Sequence, residues 1–350
     1  MDASLFSATQ LKHPIVQAPM GGGPSTPALA AAVSGAGGLG FLAAGYKAVD
    51  AVSADIAAVR QLTDRPFGIN LFAPPGAPAE EAPLQRYSAA LCDEAERYGV
   101  QPGAPRHDDD GWADKLALLT AQRVAVVSFT FGCPPPGTIA RLQADGIAVW
   151  VTVTTAAEAV SAVLAGANAL VVQGNEAGGH RGSFDDAAPG EIGLLALLQL
   201  VAAAVEVDLV ATGGIATGRG VAAVLAAGAC AAQLGTAFML SPEAGTSAPH
   251  RAALASEAET ALTRAFTGRS ARGLVNRFMT EHSDDAPRGY PEVHHMTAPL
   301  RAAARERGDA DGLNLWAGQA HALAPALPAG EIVAVLAAEA RTALREAADR

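Results

Sequence analysis

The sequence predicts a (β/α)8 barrel, the TIM-barrel fold, with a smaller helical lobe near the carboxyl ends of the strands. Short apolar runs alternate along the chain with Ala-rich stretches of helical character, which is typical of an α/β fold with a parallel sheet. Several runs are apolar at consecutive positions, as in strands that are covered on both faces. The 350 residues suffice for one barrel and additional segments.

Eight apolar runs are predicted to form the barrel strands. These runs span residues 15–18, 38–42, 67–71, 124–129, 147–153, 169–173, 208–212 and 230–235. Helices are predicted between them near residues 26–34, 51–62, 113–121, 136–145, 155–166, 191–204 and 217–228. Thr155 and Thr217 can cap two of these helices. Gly146, Gly166 and Gly228 stand where helices should end in a left-handed turn. Right-handed crossovers can close such strands into a barrel.

Two segments interrupt the alternation and suggest how the chain is divided. The predicted barrel occupies residues 1–241, with a Pro-rich, charged excursion at 73–111 between the third and fourth strands. Residues 242–311 are predicted to form the helical lobe over the barrel mouth. Residues 312–350 are predicted to be a C-terminal helical segment that packs back on the barrel.

The charge, the apolar runs and the cysteines of the sequence argue against several classes of protein. The net charge of −11 argues against a nucleic-acid or anionic-membrane surface. No run reaches the roughly 20 apolar residues that span a bilayer, and no signal peptide is recognisable, so a cytoplasmic location is expected. The separated residues Cys92, Cys133 and Cys230 indicate neither a disulfide framework nor a zinc site, and no metal is predicted. A homodimer is among the oligomeric states that the sequence allows.

Two glycine-rich segments resemble nucleotide-binding loops without fitting them. GAGGLG at 35–40 has the spacing of a dinucleotide fingerprint, but a predicted helix precedes it and a predicted strand follows it. The fingerprint requires the opposite order, so these glycines are interpreted as a helix exit. GGIATGRG at 213–220 resembles a Walker loop only superficially, because Arg219 stands near the position where Lys is needed.

The glycines after the last two strands predict a phosphate site. Gly213 and Gly214 follow the seventh strand at the start of a helix, and Gly235 and Thr236 follow the eighth. In barrels these two loops commonly bind phosphate through backbone N–H groups and a helix N-terminus. Residues without a Cβ allow the close approach that this requires. The alternative is that these are turn glycines without a ligand.

The segment QGNEAGGHRG at 173–182 follows the sixth strand and carries one imidazole, His180, among several glycines. A neutral imidazole there can take a proton from carbon or form a hydrogen bond to an anion. A single histidine is otherwise structural or merely exposed. Glu176 is a candidate for orienting His180, or is simply solvated.

Polar side chains at other strand ends face the same mouth. QAPM at 17–20 ends the first strand, and Asn70 lies in FGINLF on the third. A side-chain amide there can form hydrogen bonds with the donors and acceptors of a heterocycle. A capping role for Asn70 is an alternative. Phe129 and Phe131 either form a wall of an apolar pocket or belong to the core.

Taken together, these motifs resemble the nitronate monooxygenases, formerly called 2-nitropropane dioxygenases. PIVQAPMGGG, FGIN, SFTFGCP, QGNEAGGHRG, ATGGIATGRG and AAQLGTAF occur in the order found in that family, over about residues 13–245. The NRFM and LWAGQ segments at 276–279 and 315–319 resemble its class I branch. Flavin-dependent enoyl-acyl-carrier-protein reductases and quinone reductases share the glycine loops and the histidine.

The resemblance implies a non-covalent FMN cofactor and assigns residues to it. Met20 would lie against the isoalloxazine ring through its backbone, and Asn70 and Gln173 would contact the flavin or its ribityl chain. The rest of the cofactor and its phosphate would be held by Gly178, Gly213, Gly214, Gln233, Leu234, Gly235 and Thr236. His180 matches the family's catalytic histidine.

The implied reaction is the oxidation of alkyl nitronates, such as propionate 3-nitronate, with O₂ to a carbonyl compound and nitrite. Neutral nitroalkanes would be deprotonated by His180. The main alternative is an NAD(P)H-dependent flavin reductase that acts on quinones or enoyl thioesters. A non-catalytic flavin-binding protein and a phosphate-sugar barrel enzyme without flavin are also left open.

Overall fold

The computed structural model describes residues 5–349, and eight parallel strands form a barrel at its centre. The barrel strands are β1 (Ile15–Gln17), β2 (Phe41–Ala43), β3 (Gly68–Phe72), β4 (Val126–Thr130), β5 (Ala148–Val153), β6 (Ala169–Gln173), β8 (Asp208–Thr212) and β9 (Ala231–Leu234). They pair in the order β1-β9-β8-β6-β5-β4-β3-β2. Backbone hydrogen bonds join Leu39, just before β2, to Ile15 and Gln17 of β1 and close the barrel. The predicted fold class is confirmed.

Helices follow the strands as predicted. Those around the barrel are α1 (Pro27–Gly35), α2 (Val49–Leu62), α5 (Trp112–Gln122), α6 (Pro136–Ala144), α7 (Ala156–Leu164), α8 (Leu194–Ala204) and α9 (Gly218–Ala226). Thr155 and Thr217 accept hydrogen bonds from the first turns of α7 and α9. Gly146, Gly166 and Gly228 have positive φ angles of 79°, 104° and 102°. The predicted caps and helix exits are therefore confirmed.

Large side chains fill the barrel interior. Phe41 and Trp150 are fully buried there, with ring centroids 5.6 Å apart. Gly68 makes this possible, because a Cβ at that position would lie 2.3 Å from the Phe41 ring. The interior is therefore a packed core rather than a pore, as in other barrels.

A second core lies in a lobe beside the barrel mouth. The lobe contains α10 (Ala248–Leu254), α11 (Arg277–His282) and α12 (Glu292–Glu306), together with α3 (Glu81–Ala90) and α4 (Cys92–Tyr98) from the excursion. Its antiparallel sheet joins β10 (Thr260–Thr263), β11 (Ala271–Leu274) and β7 (Gly179–His180).

The lobe differs from the expectation in two respects. It was expected to be helical, but it contains this sheet, and the Pro-rich excursion forms two of its helices. Tyr87 of α3 is buried against the same cluster as Phe278 and Leu300. Neither the excursion at 73–111 nor the segment at 242–311 can bury its apolar side chains alone, so the fold of each depends on contact with the other.

The C-terminal part of the chain has two roles. Residues 313–320 cross the barrel mouth, and several of them line the cavity described below. The helix α13 (Ala329–Ala348) then packs along α9 and α1, where the N–H of Gly218 donates to Glu339 Oε2 at 3.0 Å. Every helix within residues 5–349 is too short or too polar to cross a membrane.

Candidate active site

A cavity of about 640 Å³ lies at the carboxyl ends of the barrel strands, between the barrel and the lobe. Its volume falls within the range of about 300–1,000 Å³ that is usual for cofactor and ligand sites. All the site residues predicted from the sequence line it: Met20, Asn70, Gln173, Gly178, His180, Gly213, Gly214, Gln233, Leu234, Gly235 and Thr236. The carboxyl ends of five different strands therefore converge on one space.

Unpaired backbone donors form one part of the cavity wall. Gly213 and Gly214 have φ angles of 120° and 66°, which only glycine adopts without strain. Within residues 5–349, the N–H groups of 213–216 donate to no protein acceptor. They precede the N-terminus of α9, which Thr217 caps. This loop fits a phosphate group, because free N–H groups and a helix N-terminus both favour an anion.

Two side-chain amides on the wall differ in availability. The Gln233 side chain is only 4% exposed and forms no hydrogen bond with another described residue. A buried amide of this kind needs a partner, and the cavity is where a ligand can supply one. The Asn70 amide donates to Thr130 Oγ1 at 2.9 Å and to Ser128 Oγ at 3.2 Å. Strand β4 therefore fixes its orientation.

The backbone of Met20 is held by its own loop. Its N–H donates to Ser25 Oγ at 2.8 Å, and its carbonyl accepts from the N–H of Ser25. A ring in the cavity would therefore meet Met20 by packing, without a hydrogen bond from this N–H group.

Gln173 and Arg181 shape the loop that carries His180. Gln173 Nε2 donates to the His180 carbonyl at 3.1 Å, and its Oε1 accepts from the N–H of Gly182 at 2.8 Å. Arg181 is fully buried and donates to the carbonyls of Gly174 and Gly190. A charged residue in a polar loop usually lies in solvent, which is why the sequence did not indicate this role.

His180 belongs to strand β7, which pairs with β11 of the lobe. Its Nε2 lies 2.9 Å from Thr267 Oγ1, and that hydroxyl is positioned to donate to the Arg269 carbonyl at 3.3 Å. Because a carbonyl only accepts, we assign the proton of the imidazole to Nε2 and the lone pair to Nδ1. Glu176 does not orient His180; its carboxylate accepts from the N–H of Leu194, at the start of α8, at 3.0 Å.

The surroundings of His180 keep it neutral. The rings of Phe131, Trp316 and Tyr290 lie 5.5, 5.5 and 6.0 Å from the imidazole. Burial, followed by the positive charges of Arg269 and Arg301, lowers the pKa of His180 to about 3. At neutral pH the imidazole is therefore uncharged.

The charged side chains that line the cavity are all positive. Arg301 and Arg305 line it, whereas no Asp or Glu among residues 5–349 does so. This contrasts with the net charge of −11 of the whole chain. The cavity therefore favours anions.

The structure also resolves the two alternatives for the phenylalanines of SFTFG. Phe129 is fully buried, with its ring 5.5 Å from Trp112. Phe131 lines the cavity and stacks on Phe72, with centroids 4.5 Å apart. Phe131 is thus a pocket residue and Phe129 a core residue.

Comparison with known proteins gives the family. The sequence model of the nitronate monooxygenase family matches residues 3–339. The nitronate monooxygenase of Pseudomonas aeruginosa is 45% identical, over 95% of this chain and 97% of that protein. The chain belongs to the nitronate monooxygenase family. The resemblance inferred from the motifs is confirmed, and the chain is accordingly a flavin-dependent oxidoreductase.

Solved structures agree with membership of the nitronate monooxygenase family. A nitroalkane oxidase from Streptomyces ansochromogenes is 52% identical, with a TM-score of 0.94, over 97% of this chain and 99% of that one. FabK from Thermotoga maritima is 27% identical, with a TM-score of 0.76, over 97% and 96% of the two chains. The barrel and the lobe are thus a shared architecture.

Several cavity residues of this nitronate monooxygenase family member were not found from the sequence. Thr267, His294 and Arg301 come from the lobe, and Tyr46 follows β2; Tyr290 of the lobe lies behind them, against the His180 ring. No local pattern marks them, since each is an ordinary polar or aromatic residue in its own segment. Only the packing of the lobe on the barrel brings them to the cavity.

One group of metal-ligand types lies outside the cavity. Glu94, Glu281 and His282 come together in the lobe. Arg277 donates to both carboxylates. Burial alone would raise the pKa of Glu94, but the nearby His282 and the hydrogen bonds from Arg277 lower it to about 2. The group is therefore an ion-pair cluster of the lobe.

Proposed function

We propose that the protein oxidises alkyl nitronates, such as propionate 3-nitronate, with O₂ to a carbonyl compound and nitrite, using non-covalent FMN. The observation that carries this proposal is the cavity, in which free backbone donors and cationic side chains surround an uncharged imidazole. The Pseudomonas aeruginosa relative is named a nitronate monooxygenase and the Streptomyces ansochromogenes relative a nitroalkane oxidase, which supports this substrate class.

The residues of the cavity fit FMN. The N–H groups of 213–216, together with Gly235 and Thr236, would hold the phosphate. The free amide of Gln233 would face the flavin or its ribityl chain, with Leu234 beside it. Asn70, Gln173, Gly178 and Met20 complete the wall. When bound, FMN supplies the redox chemistry, accepting electrons from the nitronate and delivering them to O₂.

His180 is the proposed catalytic residue. For a neutral nitroalkane, its Nδ1 would take the proton from the α-carbon. The lowered pKa makes this imidazole a weak base in the free enzyme. A nitronate has already lost that proton and does not need His180 as a base. We therefore expect nitronates to be better substrates than the parent nitroalkanes.

The substitution His180→Asn tests this role. Asparagine cannot take the proton, so nitroalkane turnover should fall by at least about 100-fold, which is the usual contribution of a general base. Nitronate turnover should fall less, and the FMN released on denaturation should be unchanged. Full nitroalkane activity in this variant would contradict the assignment.

An anaerobic experiment separates the proposal from the reductase alternative. O₂ uptake and nitrite release from a nitronate, without any pyridine nucleotide, are the expected result. Rapid anaerobic bleaching of the flavin by NADH, without nitronate turnover, would instead support a reductase of quinones or enoyl thioesters. A colourless purified protein would contradict both.

A further inference from the structure

Arg301 is a buried cation that faces the cavity. It lies on α12, is 8% exposed and lines the wall. Its Nε donates to Thr297 Oγ1 at 3.1 Å, and its Nη2 lies 2.9 Å from the His294 carbonyl and 3.2 Å from His294 Nδ1. These partners are neutral and belong to the same helix. In the described part of the chain, Nη1 has no hydrogen-bond acceptor.

No acidic side chain compensates this charge. Among residues 5–349, no carboxylate lies within 4 Å of the guanidinium, and Arg305 adds a like charge that opposes the positive form of Arg301. Burial lowers the pKa of Arg301 to about 10, so the side chain is still charged at neutral pH. A buried charge without a counter-ion is costly. The missing counter-ion is therefore expected from a ligand.

A row of rings links Arg301 to His180. The ring of His294, which contacts Arg301, stacks on Tyr46 with centroids 4.0 Å apart. Tyr290 lies 6.4 Å from Tyr46 and 6.0 Å from His180. The positive charge of Arg301 also acts on His180, after burial and Arg269, to lower its pKa. His180 and Arg301 line the same cavity, so a molecule that reacts beside His180 can direct a remote group towards Arg301.

The flavin phosphate does not account for this cation. The phosphate loops at 213–216 and Gly235 follow β8 and β9. Arg301 is associated instead with Tyr46, which follows β2 and packs edge-on against Phe72 of β3. Arg301 therefore lies at a different part of the wall from the phosphate loops.

We propose that Arg301 binds a carboxylate that the substrate carries at the end remote from the nitronate group. Nη1, which has no protein acceptor among residues 5–349, can donate a charge-assisted hydrogen bond to a carboxylate, while Thr297 and His294 hold the guanidinium in place. The enzyme would then select nitronates with a second anionic group over nitronates with an alkyl end. The subsite rests on the proposed function, since it assumes that a nitronate reacts beside His180.

The experiment compares two preformed nitronates on the flavin-loaded enzyme. Propionate 3-nitronate carries the carboxylate, and propyl 1-nitronate has a methyl group in its place. In Arg301→Met, the KM for propionate 3-nitronate should rise roughly 10- to 100-fold, as for the loss of a charged hydrogen bond. The KM for propyl 1-nitronate should change little, and its turnover shows that the variant is folded. Arg301→Lys keeps the charge and should recover part of the loss.

Two further measurements make the result specific. Butyrate, a carboxylate without a nitro group, should inhibit the wild type competitively and should lose this effect in Arg301→Met. Arg305→Met removes an exposed cation from the same wall and should shift the KM for propionate 3-nitronate far less. An equal shift in both arginine variants would mean a general positive field and would overturn the subsite.

The failures of subsite and function are distinguishable. Equal KM increases for both nitronates in Arg301→Met would overturn the subsite while leaving nitronate oxidation intact. A wild-type enzyme that oxidises neither nitronate would overturn the proposed function and the subsite with it. Arg301→Met and Arg301→Lys could both fail to fold. In that case, an apparent KM of the wild type for propionate 3-nitronate that does not rise when butyrate is added would still overturn the carboxylate subsite.

Discussion

At the scale of single residues, the environment of His180 determines what this imidazole can do. The hydrogen bond from Nε2 to Thr267 Oγ1 fixes the ring and directs the lone pair of Nδ1 away from Thr267. Which nitrogen of a histidine carries the proton is set by the partner of the other nitrogen. Thr267 is therefore a positioning residue, because it acts on the reaction only through His180.

Replacing Thr267 tests this role with a matched pair. Thr267→Val keeps the shape but removes the hydroxyl, so the ring can turn and the other tautomer becomes available. We expect kcat for a nitroalkane to fall roughly tenfold, equivalent to about 1.4 kcal/mol, with little change in KM. Thr267→Ser restores the hydroxyl and should recover most of kcat. Equal losses in the two variants would indicate a packing role instead.

Some residues of the site could be predicted from the sequence, and others could not. His180, Gly213, Gly214 and Gly235 could be predicted, because each follows a strand and residues at the carboxyl ends of barrel strands meet. Thr267 could not, because it lies 87 residues from His180 in the chain and in a different segment. Its hydrogen bond exists only after the lobe has docked.

At the scale of elements, the glycines between α1 and β2 act by packing. Gly40 lies directly before β2, and a Cβ there would be 2.1 Å from the carbonyl oxygen of Ala30 in α1. Gly35 is the exposed last residue of α1, and a Cβ there would meet nothing within 4 Å. One motif thus contains a glycine that the close helix–strand contact requires and another that it does not.

Alanine at these two positions should have opposite effects. Gly40→Ala forces backbone against backbone and should destabilise the protein by about 1–3 kcal/mol or more. Gly35→Ala should be neutral or stabilise it by up to about 1 kcal/mol, since alanine favours helix. Urea denaturation of both variants measures the difference in free energy of unfolding. Loss of flavin without loss of stability in Gly40→Ala would revive the nucleotide-binding interpretation of this motif.

At the scale of the whole molecule, three histidines at the interface of lobe and barrel make stability depend on pH. Burial is the largest cause of a lowered pKa in each: about 3 for His180, about 4 for His250 and about 2 for His294. In the unfolded chain they titrate near 6.5. The unfolded state therefore binds more protons below that pH, and acid favours unfolding.

We expect the free energy of unfolding to be constant above about pH 7.5 and to fall as the pH drops through about 6.5 towards 5. Each histidine contributes a slope of at most about 1.4 kcal/mol per pH unit. Urea denaturation between pH 5 and 7.5 measures it. His250→Gln, which retains a donor for the Trp316 carbonyl, should reduce the slope. A free energy of unfolding that does not change over this range would contradict the burial of these groups in the neutral form.

The sequence by itself determined the barrel, its helix caps and the loops that carry His180 and the phosphate-site glycines. These features depend on hydrophobic runs and turn residues that act over a few neighbouring positions. Only the tertiary structure decided that the excursion at 73–111 contributes two helices to the lobe, that the lobe contains a sheet, and that Thr267 and Arg301 face the cavity. Such features arise when distant segments bury apolar surface together, and the partner of a side chain is then set by packing.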